Sequence, residues 1–138
     1  MNWDTRVLWR RAAAHTVDGA LPVVLALVIA KAAGDDAGGV FFALFVGINL
    51  LEFIVLQGAT GFTPGKWLFG IRVVDAQGLP PGILGAIKRT IPLLFEWTTL
   101  IALIAIYTHP HGQRFGDRWA GTYVIRSPRT ATGEAVPA

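Results

Sequence analysis

The sequence predicts an all-α membrane protein with two transmembrane helices, a third membrane segment that either spans or re-enters, and a small cytoplasmic two-stranded β ribbon. Three observations carry that expectation. Hydrophobic residues fill 53% of the 138 positions and charged residues only 15%, against roughly 25% charged in soluble globular proteins. A soluble fold this small has too much surface for so few charges. The apolar residues gather in three runs of membrane-spanning length, and the basic residues cluster between and beyond them. Two short β-prone segments stand far apart in the chain, each marginal unless it pairs with the other. The length fits one domain, taken as residues 1–129, with 130–138 as a frayed tail. A mean hydropathy of +0.51 excludes disorder. The absence of cysteine excludes a disulfide scaffold, thiolate chemistry and a cysteine-ligated metal centre.

The first run, Ala12 to Ala30, has 19 residues and would rise about 28 Å as a helix, close to the hydrocarbon thickness. Its basic start and the Ala30-Lys31-Ala32 sequence also resemble an export signal. His15, Asp18 and Pro22 inside the run argue for a permanent span instead. The second run, Val40 to Leu56, is 17 residues broken only by Asn49 and Glu52. The loop between them holds one basic and two acidic residues, Lys31, Asp35 and Asp36, so the positive-inside bias puts it outside and the N-terminus in the cytoplasm. From Gly58 to Pro81 glycine and proline punctuate a polar stretch, and Gly70 to Asp75 alternates as a short strand ended by the Gln77-Gly78 turn. Its expected partner is Gly121 to Ile125. The third run, Ile91 to Thr108, has 18 residues and contains Pro92 and Glu96. A full crossing would put Arg114, Arg118, Arg126 and Arg129 outside, against the charge bias; re-entry, or a short helical hairpin with Ile83 to Thr90, keeps them inside and lets the two strands meet.

Charge inside the membrane is costly, so its positions mark pairing or transport. Arg11 and Asp18 are seven residues apart and share a helix face, with His15 between them. Asp18 therefore either ties helices together or relays protons or cations with His15. Asn49 and Glu52 share a face of the second run and, with Glu96, extend the candidate ion or proton path, although Glu52 and Glu96 also lie near enough to the interface to snorkel. Asp117 follows a basic, glycine-containing turn and is expected to pair with Arg11 or Lys66. Gly61 to Trp67 is not a phosphate-binding loop: the glycine spacing is one residue short and Trp67 stands where Ser or Thr is required. His109 and His111 lack a clear third metal ligand and read as loop residues. No nucleophile–base constellation stands out, and the chain is not expected to be an enzyme, to hold a cofactor or metal, or to bind nucleic acid.

Three blocks, Arg11 to Asp18, Thr63 to Asp75 and Arg114 to Thr122, together resemble the RDD family of small bacterial integral membrane proteins. The resemblance implies that the family's arginine and two aspartates are Arg11, Asp18 and Asp117, and that Thr63, Pro64, Gly65, Lys66 and Arg72 form its cytoplasmic motif loop. Gly116 departs from the histidine that often precedes the second aspartate. The resemblance also implies transport of an unidentified ligand, with sodium/proton antiport suggested for some members. Three segments enclose a path poorly, so a transporter of this size must act as an oligomer. The alternative is a non-catalytic accessory or scaffold subunit that docks Phe41, Phe42, Phe45 and Trp97 onto a larger membrane complex. Either role places a multi-pass chain in the bacterial cytoplasmic membrane.

Overall fold

The computed structural model describes residues 7–94, 99–110 and 112–127. The chain is mostly helical. Helix α1 (Leu8–Ala30) runs through a 3-10 turn (Lys31–Asp36) into α2 (Ala37–Leu50). Gly34, at φ 60° and ψ −123°, breaks the helical path within that turn, a conformation that L side chains rarely adopt. The two helices then pack against each other. Their contact follows from spacing: the buried residues of α1 are Ala14, Asp18, Pro22, Ala26 and Ala30, one every four positions and all but Asp18 small and apolar. Small residues on one face permit close helix approach. The other faces of α1 carry Val24, Leu25 and Val28, all exposed, and no residue of α2 is buried. Only 6% of the most apolar 18-residue window in this helical region is buried, whereas the core helix of a soluble protein would be mostly covered. By length and composition this helical stretch is long and apolar enough to cross a membrane.

After Leu50 the helix continues as a π-helical turn (Leu51–Leu56) and then α3 (Gln57–Thr60). The second apolar run thus ends in a change of helical register that hydropathy does not reveal. Next come α4 (Pro64–Leu68), β1 (Ile71–Val74), α5 (Gly82–Thr90), a 3-10 turn (Ile91–Leu94), α6 (Thr99–Thr108), α7 (Phe115–Ala120) and β2 (Tyr123–Arg126). The expected ribbon forms: β1 and β2 are antiparallel, with Ile71 opposite Arg126 and Val73 opposite Val124. It packs on the beginning of α1, where Val7, Ala14, Ile71, Val73 and Val124 make one buried cluster. Arg10 donates to the Phe69 carbonyl at 2.6 Å and Trp9 meets Phe69 edge-on. The ribbon and the start of α1 therefore lie at one end of the molecule.

The two flanks of the third apolar run meet at that same end. Arg89, just before it, and Gly112, just after it, are joined through Arg11 and Asp117: Asp117 pairs with both Arg89 and Arg11, and Arg11 also donates to the Gly112 carbonyl. Glu96 and Trp97 of this run, His111 and the tail 130–138 lie outside the described residues.

Candidate functional site

Two buried ionic clusters hold the loops to the helices, and each is built around one of the two aspartates on which the motifs converge. Asp18 projects from the buried stripe of α1 and is fully enclosed. One carboxylate oxygen accepts from the Thr63 hydroxyl and the other from the Gly65 backbone N–H at 2.6 Å. Thr63 also caps α4 by accepting from the Lys66 N–H. The Lys66 ammonium donates to the same hydroxyl at 3.2 Å and stands 3.6 Å from the Asp18 carboxylate. Gly65 has no alternative here, because a Cβ would lie 2.2 Å from the Ala14 carbonyl oxygen and 2.8 Å from Asp18. What looks like a degraded phosphate loop is a loop that binds a carboxylate of its own chain.

Asp117 is equally enclosed and sits at the third position of α7, where it accepts from the Arg114 N–H at 3.1 Å. Arg11 donates to it at 2.6 Å, and a guanidinium nitrogen of Arg89 lies 3.1 Å from its other oxygen. The expectation that Asp117 pairs with Arg11 or Lys66 is thus resolved to Arg11; Lys66 is taken by Asp18, which α4 brings against α1. Arg89 was not singled out by sequence reasoning, since one arginine at the end of an amphipathic helix looks like an interfacial charge. The glycine at 116 also has a physical reason: a Cβ there would lie 2.5 Å from the Arg89 carbonyl oxygen. With histidine at this position α7 would have to move off α5.

Burial alone would raise the Asp117 carboxyl, but Arg89, Arg11 and Arg114 together hold it well below the usual carboxylate range. Lys66 is also lowered, from its ordinary 10.5, but for a lysine that favours the neutral form. Burial pushes it down to about 7, Arg89 adds to the push, and Asp18 opposes it. Between pH 7 and 10.5 the unfolded chain therefore binds more protons at this lysine than the folded one, so stability rises with pH across that window. Thermal unfolding in detergent should show a midpoint climbing from pH 7 to 9.5, with a shallower climb in Lys66→Met. Equal slopes would mean that Lys66 is not desolvated as described.

The remaining candidates separate clearly. Glu52 lies in the π turn, is 5% exposed, and neither carboxylate oxygen has a hydrogen-bond partner among the described residues. Lys66 and Asp18 are the charges that act on it, and Lys66 stands over the Phe53 ring at 5.3 Å. Gln57 is buried too, and sequence reasoning missed it because a glutamine after an apolar run reads as a helix end. Its amide nitrogen donates to the Phe53 carbonyl at 3.4 Å, leaving its oxygen unpartnered. His15 is exposed on α1, with its ring 6.5 Å from that of Phe53. Asn49 donates back to the Phe45 carbonyl in its own helix at 2.7 Å. Arg72 is buried, donates to the Thr60 carbonyl and stacks over Phe62, so it fixes the loop entering β1.

A family model described as the RDD family matches residues 5–121 of the chain. No curated protein and no solved structure matches it.

Proposed function

Because the chain belongs to the RDD family, a family of small membrane proteins, we propose that it is a multi-pass protein of the bacterial cytoplasmic membrane that moves a small ligand or cation as a homo-oligomer, with proton coupling. The observation that carries this reading is the burial of Asp18, Lys66 and Glu52 beneath an otherwise lipid-facing helical hairpin. Ionisable groups inside a membrane bundle are retained where they pair or line a path. Asp18 is paired on both oxygens, whereas Glu52 is not. The cluster thus has a holding part and an exchanging part. In proteoliposomes of folded, oligomeric protein, an imposed cation gradient should dissipate a pH gradient. Vesicles of such a preparation that show no cation-dependent proton flux would refute transport.

In this reading α1 and α2 cross the membrane and the third run re-enters. Trp9, Trp67 and Trp119, each more than half exposed, mark one interface at the ribbon end. Both termini then face the cytoplasm. The absence of cysteine makes single-cysteine labelling clean. A membrane-impermeant maleimide should label Asp35→Cys in intact cells, but Gln77→Cys and Arg126→Cys only after lysis. Labelling of Arg126→Cys from outside would overturn re-entry.

The accessory reading keeps one specific support. Gly39, Ala43 and Gly47 on α2 are four apart and exposed, and a Cβ at either glycine meets nothing. Such a face suits close packing by another helix. Phe42 is exposed beside it, while Phe41 and Phe45 stack on each other. Purification in mild detergent separates the roles: a homo-oligomer supports transport, and a stoichiometric foreign subunit supports the accessory role.

A further inference from the structure

We propose that Glu52 and Gln57 form a binding site for a small monovalent cation. Among the described residues three buried oxygens stand without a partner there, both of Glu52 and the amide oxygen of Gln57. All three are acceptors. The Gln57 amide nitrogen is committed to the Phe53 carbonyl, which fixes which end of that amide is left over. The backbone brings the two residues together: the Gln57 N–H donates to the Glu52 carbonyl, five residues back, closing the π-helical turn. That register stacks residue i+5 over residue i, and π turns recur at functional sites. An α-helical register would rotate the two side chains apart. Lys66, the cation that acts on Glu52, is already engaged by Thr63 and Asp18. Glu52 is therefore left without an ion-pair partner of its own among the described residues.

The donor set selects the class of ligand. Carboxylate and amide oxygens suit hard cations. One carboxylate, with Lys66 already paired to Asp18, balances a single charge and not two. Among the described residues no group of three acidic or histidine side chains assembles to hold a divalent ion. An alkali ion and an ammonium ion share the required chemistry. Buried acceptors without donors are costly, so occupation should stabilise the fold measurably.

The inference rests on the transport reading only for its use in the cell, and binding is measured without flux. Full-length protein in nanodiscs is unfolded thermally in sodium, potassium, ammonium or N-methylglucamine chloride at equal ionic strength. We expect at least one small cation to raise Tm by about 4 °C or more over N-methylglucamine. The rise should vanish in Glu52→Gln and shrink in Gln57→Leu. It should also be larger at pH 8.5 than at pH 5.5, because protons compete for the carboxylate. Equal Tm in all four salts, or a rise that survives Glu52→Gln, overturns the site. A Tm that follows pH and ignores the cation assigns Glu52 to a proton alone and overturns it too. If Glu52→Gln does not fold, Gln57→Leu carries the comparison. Cation binding without flux would leave this inference standing and remove the transport reading, while flux unchanged in Glu52→Gln would do the reverse.

Discussion

Asp117→Asn is expected to lower the stability of the folded protein by about 3–5 kcal/mol, the cost of breaking a buried ion pair on one side. The carboxylate is fully enclosed and contacts Arg11, Arg89 and the Arg114 N–H, so its neutralisation leaves two guanidinium groups facing an uncharged amide. The loss should appear as poor recovery from membranes and a lowered Tm in detergent. Removing Arg89 as well, in Asp117→Asn/Arg89→Met, should cost less than the sum of the single changes because the pair is coupled. Arg11→Lys is not a conservative control: Arg11 reaches Asp117 with one terminal nitrogen and the Gly112 carbonyl with the other, a fork that lysine lacks. The sign of the pH effect follows from the depressed carboxyl. Its contribution is complete above the unfolded carboxylate range and is lost only as pH falls through the folded value, so between pH 5 and 8 the wild-type and Asp117→Asn curves should run parallel. Wild-type recovery and Tm in Asp117→Asn would remove Asp117 from the core of the molecule.

How far a sequence exposes such a core depends on the range of the contacts. The hairpin was legible because apolar run length and charge placement are written residue by residue: Ala12 to Ala30 and Val40 to Leu56 fall within the helical stretch observed from Leu8 to Thr60. The ribbon was legible by economy, since two lone strands need each other; the pairing shifts only the second strand, to Tyr123–Arg126. The shared face of Arg11 and Asp18 was also readable from helical spacing, but their partners were not. Arg11 finds Asp117 across 106 positions, and Asp18 finds Gly65 across 47. Periodicity says which way a side chain points and nothing about what arrives there. Arg89 and Gln57 stayed hidden for that reason. Glu52 was visible as a charge in an apolar run, while the π register that places Gln57 on its face left no mark in the hydropathy.

The second large effect is expected at Gly65, and it separates the holding role of Asp18 from a coupling role. Gly65→Ala drives a methyl group against the Ala14 carbonyl oxygen at 2.2 Å and the Asp18 carboxylate at 2.8 Å, both in a fully buried seam. Overpacking of this kind costs about 1–3 kcal/mol, and losing the N–H bond to a charged carboxylate adds about 1.5–3 kcal/mol. Gly39→Ala is the matched control, because its methyl group meets nothing within 4 Å. Tm should fall by many degrees in the first variant and stay within a degree or two in the second. Equal Tm values would mean that α4 does not close on α1 as described. Asp18→Asn should also be destabilising, since it leaves the buried Lys66 ammonium without its counter-charge, whereas Asp18→Asn/Lys66→Met removes both charges and should recover much of the loss. Flux then decides the role. If Asp18 only holds the loop, flux returns with stability in the double variant; if the carboxylate itself exchanges ions, Tm returns and flux does not. Both oxygens of Asp18 are already occupied by Thr63 and Gly65, so flux is expected to track Tm at Asp18 and to part from it at Glu52, where neither oxygen is held.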